Sequence, residues 1–450
     1  MNNKNSNIKV LFYTFTARAF RTTLVGHLYE ICRAWPTVLI SEKLDQDSED
    51  ALKNKDFPHK LGKIIQIRQF SGVEKNNIFA QNKYLYSLAK KFIEEEKPDI
   101  VVTASDMHSL FEMYLLRLAK KNNSLNLCLQ PSNTGGIKVV EKWVDHINAY
   151  LRFPIFLPLW LRIFLVKCRK YSGHLFYYWI LPVTAGQMPF FGKSSHILVR
   201  GNSGMRDSDY QIVFSHRDYN FFIKDGVPAE KLRILSHPLA RKKTREFFEK
   251  IYFKNYKKNK GKKTVVLMIP TGIEIGFFKK DFSLIPQKGR EEKWVETIRL
   301  ISRILPGWDI FIKPHPDTNT KNFDDIKNMI ESISENIKIA DPGEPADKYI
   351  ELADIIIGLP PSTSTTIFTA SLQCPEKPII SLDFYQEVLG DFYKEFEGIE
   401  YIDNEKRFIE ILKDIRDKKY QKKQRLKKEE FSNIVELINN LISAKNEKRN

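Results

Sequence analysis

The residues best suited to chemistry are a histidine between two prolines and, further along the chain, a run of hydroxyl side chains. The histidine is His315, in the sequence Lys313-Pro314-His315-Pro316. An apolar stretch directly before it predicts a buried strand at residues 310–312. Each proline fixes its own φ and biases the preceding residue toward an extended backbone. We therefore expect His315 to lie on a rigid, non-helical corner at the end of a strand.

The hydroxyl run follows a second apolar stretch, residues 353–358, and precedes a helix predicted at residues 367–373. The run consists of Ser362, Thr363, Ser364 and Thr365. The N-terminus of a helix offers free N–H groups to a phosphate, and hydroxyl groups add further donors. If both apolar stretches are strands of one parallel sheet, both loops open at its carboxyl edge, where such sheets bind ligands. The two loops are therefore predicted to bind the phosphate of a nucleotide donor.

A third loop follows the apolar stretch at residues 264–269 and adds Thr271 and Gly272 to the predicted donor site. Lys313 and Pro316, which flank the histidine corner, complete that site. Simpler structural roles exist for the same residue types. A histidine can cap a strand corner, and a hydroxyl group can cap a helix without binding any ligand.

The elements that must position these residues form two successive sets of alternating strands and helices. Strands are predicted at residues 8–15, 36–40, 99–104, 125–129, 196–200, 211–214, 232–235, 264–269, 310–312, 337–340, 353–358 and 377–382, the last being the final core strand. Helices are predicted at residues 27–34, 81–95, 109–121, 215–224, 291–304, 322–334, 347–353 and 367–373. This alternation predicts an α/β protein with two Rossmann-like domains that face each other across a cleft.

Composition and charge divide the chain further. We place an N-terminal domain at residues 1–240, a basic linker at 241–263, a C-terminal nucleotide-donor domain at 264–420 and a charged helical tail at 421–450. The net charge of +17 predicts attraction to an anionic partner, although charge alone does not choose among partners. The four cysteines form no Cys-x-x-Cys pair, so neither a zinc site nor a disulfide framework is predicted, and a reducing compartment fits best. The polar start and short first apolar run also argue against a secretory signal.

Residues 151–192 differ from the rest of the chain. Up to residue 170 they mix aromatic and aliphatic residues with arginine and lysine, which suits a helix lying in a membrane interface. Residues 171–192 contain no Asp, Glu, Lys or Arg, but glycines and prolines interrupt them. Ordinary core packing and a membrane span are the alternatives. We expect peripheral contact with the anionic inner face of the cell membrane and a cytoplasmic location.

The two motifs carry a resemblance to a known group of enzymes. The Lys-Pro-His-Pro corner, followed by the second apolar strand and the Ser/Thr run, resembles the C-terminal half of GT-B glycosyltransferases of bacterial surface-polysaccharide assembly. That group includes capsule Kdo transferases, bacterial sialyl- and polysialyltransferases, and CDP-glycerol glycerophosphotransferases. The resemblance covers residues 211–383 and is architectural before them. It implies that His315 and the Ser/Thr run contact the donor phosphate and nucleotide, with Lys313 adjacent.

The resemblance also implies a reaction, the transfer of a sugar from a nucleotide-activated donor to a cell-surface glycan or lipid-linked acceptor. Many GT-B enzymes carry a glutamate in the helix after the Ser/Thr turn, whereas the comparable place here, Thr369-Ala370, has no acid. This difference disfavours a retaining mechanism based on glutamate. We expect an inverting transferase with no cofactor and no metal ion.

An inverting transfer needs a general base that deprotonates the acceptor hydroxyl group. Asp106 is the leading candidate because it follows the strand predicted at residues 99–104, although an Asx turn would explain it equally well. His108 and His27 are further candidates at strand ends, and Glu274 in the second domain is a reserve.

Two other functions fit parts of the sequence. A non-hydrolysing UDP-sugar 2-epimerase has the same two-domain frame but needs no acceptor, and residues 151–192 speak against it. A basic nucleic-acid-binding protein would account for the net charge. Basic residues cluster in the linker and tail, however, without an aromatic-basic RNA motif or a helix-turn-helix, so no nucleic-acid partner is expected.

Overall fold

The structure of the chain is a computed structural model. It describes residues 8–14, 20, 24–42, 44–67, 78–104, 110–130, 158, 207–224, 227–238, 241, 243–247, 261–269, 287–314, 327–344, 346–359, 365–382, 398–422 and 431–447. The chain divides into two compact units, the first formed by residues 1–247 with 429–450 and the second by residues 248–428.

Strands and helices alternate along both units. The strands are β1 (Val10–Thr14), β2 (Thr37–Ser41), β3 (Leu61–Gln66), β4 (Ile100–Thr103), β5 (Leu125–Leu129), β6 (Tyr210–Val213), β7 (Leu232–Ile234), β8 (Thr264–Ile269), β9 (Asp309–Pro314), β10 (Ile337–Ile339), β11 (Ile355–Gly358), β12 (Ile379–Leu382) and β13 (Glu400–Ile402). The helices are α1 (Val25–Ala34), α2 (Gln46–Lys53), α3 (Ile78–Glu96), α4 (Leu110–Lys121), α5 (His216–Lys224), α6 (Gln287–Ile304), α7 (Ala346–Leu352), α8 (Thr365–Gln373), α9 (Glu405–Arg416) and α10 (Ile434–Glu447). A short 3₁₀ helix, Ala229–Lys231, precedes β7.

Each unit is built on one parallel sheet. The first unit has seven strands in the order β3-β2-β1-β4-β5-β6-β7, and the second has six in the order β10-β9-β8-β11-β12-β13. Every strand pair in both sheets is parallel. The predicted α/β architecture of two Rossmann-like domains is therefore confirmed.

The central strands are buried along their whole length. All five residues of β1 and all six of β8 are buried. Parallel strands with helices on both faces read as continuous apolar runs rather than as an alternating pattern. This is why the sequence Val-Val-Leu-Met-Ile within β8 predicts a strand even though it has no period of two.

Side-chain caps fix the starts of two helices. The Asp45 carboxylate accepts a hydrogen bond from the Ser48 N–H (2.9 Å) at the start of α2, and the Asn404 side chain accepts one from the Arg407 N–H (2.9 Å) at the start of α9. Such caps satisfy backbone donors that have no partner inside the helix.

The C-terminal segment is part of the first unit. The residue Phe431 forms a parallel bridge with Leu235, and the Ser236 N–H donates a hydrogen bond to the carbonyl oxygen of Phe431 (3.0 Å). The helix α10 then packs against α1. The segment predicted to be a charged helical tail thus contributes a buried apolar face. In this face Ile434, Leu437 and Ile438 have no exposed surface.

The elements that were not predicted from the sequence include α2, β3 and β13. The helix α2 is polar, and the strand β3 lies at the edge of its sheet with its middle exposed. The expectation that residues 377–382 form the final core strand was wrong, because β13 pairs with β12 beyond it. β13 has three residues, of which only Ile402 is buried, so its hydrophobic signal is too short to detect. The strand predicted at residues 196–200 and residues 151–192, apart from Pro158, lie outside the described residues.

Candidate functional site

The strand order of the second sheet reverses between β8 and β11. From β8 the chain continues outward to β9 and β10 on one side, whereas β11, β12 and β13 extend on the other side. In an open parallel sheet, the loops at the carboxyl ends of the two strands beside such a reversal diverge and leave a crevice that binds ligands. The carboxyl edge of the second sheet at β8 and β11 is therefore the candidate site.

The strand register places the ends of three strands side by side at this edge. Met268 of β8 is aligned with Lys313 of β9 on one side and with Gly358 of β11 on the other. The loops that follow these three residues are those that carry the histidine corner, the Ser/Thr run and the Thr-Gly pair. The parallel sheet thus brings together the three strand ends from which the predicted donor loops leave.

Lys313 is almost completely enclosed, with 2% of its surface exposed. Its Nζ donates to the carbonyl oxygens of Pro314 (2.6 Å) and Pro342 (2.9 Å). Burial lowers the pKa of Lys313 to about 8, against the opposing attraction of Glu344 and Asp341. A lysine with this pKa is still mostly charged at neutral pH, and its charge lies directly at the carboxyl edge of the sheet.

The turn between β10 and α7 is held by a second set of polar contacts. Glu344 accepts hydrogen bonds from Lys348 Nζ (2.7 Å) and from the Tyr349 hydroxyl group. Burial acts to raise the pKa of Glu344, but these two hydrogen bonds and the positive charges of Lys348 and Lys313 together outweigh it and lower the pKa. Burial and the adjacent carboxylate raise the pKa of Tyr349 to about 12. The turn therefore carries a fixed negative charge near the Lys313 ammonium group.

The helix α8 begins at Thr365, seven positions after the end of β11, and its sequence is TTIFTASLQ. Because α8 connects two parallel strands, its N-terminus lies toward the carboxyl edge of the sheet. The N-terminus of a helix is a favourable position for a phosphate group. The described sequence of α8 contains no acidic residue.

Most of the predicted site residues lie outside the described part of the chain. They are His315, Pro316, Thr271, Gly272, Ser362, Thr363 and Ser364 in the donor set, and Asp106, His108 and Glu274 among the candidate bases. Thr365 is described as the first residue of α8, and the side chains of Lys313 and His27 are described in full. The roles of all these residues in binding and catalysis stay predictions.

His27, the one candidate base whose surroundings are described, lies in α1 and has no exposed surface. Its ring stacks on Phe214, with 5.4 Å between centroids, and neither ring nitrogen has a hydrogen-bond partner among the described residues. Burial lowers the pKa of His27 well below its ordinary value, and the positive charge of Arg241 and the neighbouring His237 lower it further. The imidazole is therefore neutral at physiological pH, and it must be uncovered before it can touch an acceptor.

The contacts of Lys313 with carbonyl groups were not foreseen from the sequence. Lys313 was expected to contact the donor, whereas both of its observed bonds go to the backbone. The i, i+4 spacing of Glu344 and Lys348 is a signal for a helical ion pair that was available in the sequence. Nothing in the local pattern indicates that Pro342 lies within reach of Lys313.

A separate open cavity of about 690 Å³ lies in the first unit, at the amino edge of its sheet. Residues that begin β4 and β5, together with Ile442 and Lys445 of α10, line it. Ligands of open α/β sheets bind at the carboxyl edge. The cavity is therefore not assigned to the nucleotide.

Within the described ranges, no helix combines the length and apolar content needed to cross a bilayer. The described side chains also contain no group of three or more His, Cys, Asp or Glu residues that could hold a metal ion.

Comparison with known proteins supports the fold through structure rather than sequence. No family model and no curated protein matches the chain. Three solved structures share the fold across nearly the whole chain. One is a Listeria monocytogenes protein provisionally described as a UDP-N-acetylglucosamine 2-epimerase, with a TM-score of 0.53 and 11% identity, covering 92% of this chain and 88% of that chain. Another is the UDP-GlcNAc 2-epimerase of Neisseria meningitidis bound to UDP-GlcNAc, with a TM-score of 0.51 and 12% identity, covering 91% of this chain and 92% of that chain. The third is the UDP-GlcNAc 2-epimerase of Methanocaldococcus jannaschii in complex with UDP-GlcNAc and UDP, with a TM-score of 0.51 and 14% identity, covering 97% of this chain and 100% of that chain. The chain therefore has the two-domain fold of these nucleotide-sugar enzymes, which is the GT-B fold.

Proposed function

We propose that the chain is an enzyme acting on a nucleotide-linked sugar, with the nucleotide bound at the carboxyl edge of the second sheet. The observation that carries this proposal is the reversal of strand order between β8 and β11, with the ends of three strands and the start of α8 gathered at one edge. Phosphate groups suit such a site because the N–H groups at a helix N-terminus favour negative charge. The solved structures with the same fold include two in complex with UDP-GlcNAc.

The first candidate reaction is 2-epimerisation of a UDP-linked sugar. The three solved structures compared above are all described as UDP-GlcNAc 2-epimerases, which favours this reaction over transfer. An epimerase needs no acceptor, so a single nucleotide sugar would be its only substrate.

The second candidate is inverting transfer of a sugar to a cell-surface glycan or lipid-linked acceptor, without a metal ion. The specific observation in its favour is the absence of an acidic residue from α8, which disfavours a retaining mechanism based on glutamate. The Lys-Pro-His-Pro corner and the Ser/Thr run at residues 362–365 carry the resemblance to surface-polysaccharide transferases. In this case residues 151–192 would contact the inner membrane face.

A binding experiment tests the shared part of the proposal. Thermal unfolding is measured with UDP, CDP, GDP and CMP for the parent protein and for His315→Ala. A ligand at 100 times its dissociation constant should stabilise the protein by about 2.7 kcal/mol. We expect one nucleotide to stabilise the parent, and His315→Ala to lose most of that effect. The matched control is His59→Ala, because His59 is exposed and lies in the first unit. No stabilisation by any of the four nucleotides would contradict the proposal.

An activity experiment separates the two reactions. Proton NMR of UDP-GlcNAc incubated with the enzyme alone reports epimerisation directly, as anomeric signals of the 2-epimer. Transfer gives no epimer, and it releases nucleotide only when an acceptor from a surface-glycan or lipid-linked fraction is added. The epimer signals would support the first candidate, and acceptor-dependent nucleotide release would support the second.

A further inference from the structure

We propose that Lys313 is a positioning residue that fixes the direction in which the chain leaves β9 toward His315. This inference rests on the proposed function, because it assigns Lys313 a role in the same nucleotide site. It replaces the expectation that Lys313 contacts the donor phosphate itself.

The two hydrogen bonds of the Lys313 ammonium group carry the argument. The carbonyl oxygen of Pro314 belongs to the peptide that joins Pro314 to His315, so the 2.6 Å bond sets the orientation of that peptide plane. The second bond, 2.9 Å to Pro342, ties the same ammonium group to the turn after β10. One side chain thus ties the end of β9 to the turn after β10.

The surroundings of Lys313 favour this role over direct contact with a ligand. With 2% of its surface exposed, the side chain has almost no area to offer a phosphate. Two of its three N–H donors are already used by carbonyl groups. Its positive charge interacts with the carboxylates of Glu344 and Asp341 in the adjacent turn, so it already has anionic partners within the protein. Removing the ammonium group would leave two carbonyl groups without their donor.

The fold supplies a matched control at the opposite edge of the same sheet. Lys377 precedes β12, and its Nζ donates to the carbonyl oxygens of Ile350 (3.0 Å) and Glu351 (2.7 Å) at the end of α7. It therefore makes the same kind and number of bonds as Lys313, but at the amino edge. A change at Lys377 should disturb the second unit without reaching the candidate site.

The test compares Lys313→Met, Lys377→Met, His315→Ala and the double variant Lys313→Met/His315→Ala by calorimetric titration with UDP. We expect Lys313→Met to weaken UDP binding about tenfold or more, while Lys377→Met stays within about twofold of the parent. If Lys313 acts through His315, the double variant should bind no more weakly than His315→Ala alone. Additive losses in the double variant would show that Lys313 acts independently of His315 and would overturn the proposal. Equal losses in the Lys313 and Lys377 variants would also overturn it, because they would indicate a general effect on stability.

Hydrogen exchange provides a readout that does not depend on nucleotide binding. Lys313→Met should accelerate exchange in peptides that span residues 313–320, and Lys377→Met should not. If the parent protein binds no nucleotide, the proposed function fails, and this measurement still decides whether Lys313 holds the corner. Unchanged exchange in Lys313→Met would refute the positioning role. If Lys313→Met does not fold, Lys313→Arg keeps the charge but changes the donor geometry, and the same comparisons apply to it.

Discussion

Arg241 joins three separate parts of the first unit, and replacing it by methionine tests how that unit is held together. Its guanidinium group donates to both carboxylate oxygens of Glu30 in α1, with Nη2 at 2.6 Å from Oε2. It also donates to the carbonyl oxygens of Ser236, which follows β7, and Ser432, which precedes α10, each at 2.8 Å. The Thr244 hydroxyl group adds a hydrogen bond to Glu30 (2.9 Å).

The magnitude follows from the burial of this ion pair. The Glu30 side chain is 9% exposed and the Arg241 side chain 18% exposed. Removing one partner of a buried pair leaves an uncompensated charge and costs about 3–5 kcal/mol, whereas replacing both partners by apolar residues is often close to neutral. Arg241→Met should therefore destabilise the first unit by about 3 kcal/mol or more, and Arg241→Met/Glu30→Met should recover most of that loss.

The pH dependence of this effect has a definite sign. Burial raises the pKa of Glu30, and Arg241 opposes that rise. Without Arg241 the pKa of Glu30 rises further, so the carboxyl group takes up a proton more readily in the folded state than in the unfolded state. Stability of the variant is then greatest below the unfolded pKa of Glu30 and falls as the pH rises through the folded pKa. The destabilisation by Arg241→Met should accordingly be smaller at low pH.

Hydrogen exchange of the most protected amides in β1 and β8 measures the stability of the two units in the same sample. Arg241→Met should lower protection in β1 and leave β8 unchanged. The control is Lys243→Met, because Lys243 is exposed two positions after Arg241 and its loss should cost less than about 0.5 kcal/mol. A cost below about 1 kcal/mol for Arg241→Met, or a double variant no more stable than the single one, would refute the assignment of this pair as a main support of the first unit.

Three further predictions concern single residues of the first unit. Burial lowers the pKa of His27 below its ordinary 6.5, so the unfolded chain takes up a proton there more readily than the folded chain as the pH falls. The free energy of unfolding, measured by urea titration, should therefore fall by about 1 kcal/mol between pH 6.5 and 5.5. His27→Gln should make the free energy of unfolding less dependent on pH over this range. Gly26→Ala would place a Cβ atom 2.7 Å from the Pro238 ring and should lower stability by about 1–3 kcal/mol in thermal unfolding, whereas Gly62→Ala, with nothing nearer than 3.7 Å, should be nearly neutral. Burial raises the pKa of Cys32 to about 12, so mass spectrometry should find it unlabelled by iodoacetamide at pH 8 in native protein and labelled after denaturation. Labelling of Cys32 in the native protein would contradict the argument about its burial, and an equal effect of the two glycine substitutions would contradict the argument about the Pro238 contact. A pH dependence of stability that is the same in His27→Gln and in the parent protein would contradict the argument about His27.

Local sequence was sufficient to predict most of the strands. Buried parallel strands such as β8 and β11 are unbroken apolar runs bounded by polar or proline-containing loops, and this signal does not depend on the rest of the chain. Short or exposed elements escaped prediction because edge strands such as β3 and β13 bury few side chains. Their existence depends on a neighbouring strand with free hydrogen-bonding groups, which local sequence does not reveal.

The partners of the charged residues could not be predicted for a related reason. The residues Glu30 and Arg241 are 211 positions apart, and Lys445 of α10 donates to the Asn123 carbonyl group over 322 positions. In the sequence, Lys313 is simply a cation beside a proline, and only the pairing of β9 with β10 brings Pro342 within its reach.

The sequence by itself determined the two parallel sheets and the strand ends from which the predicted donor loops leave. These features follow from burial and backbone restriction over a few consecutive residues. Only the tertiary structure decided that Lys313 bonds to backbone carbonyl groups, that His27 is enclosed, and that residues 431–447 complete the first unit. Such contacts depend on which distant segments the folded chain brings together, and no local pattern of residues specifies that.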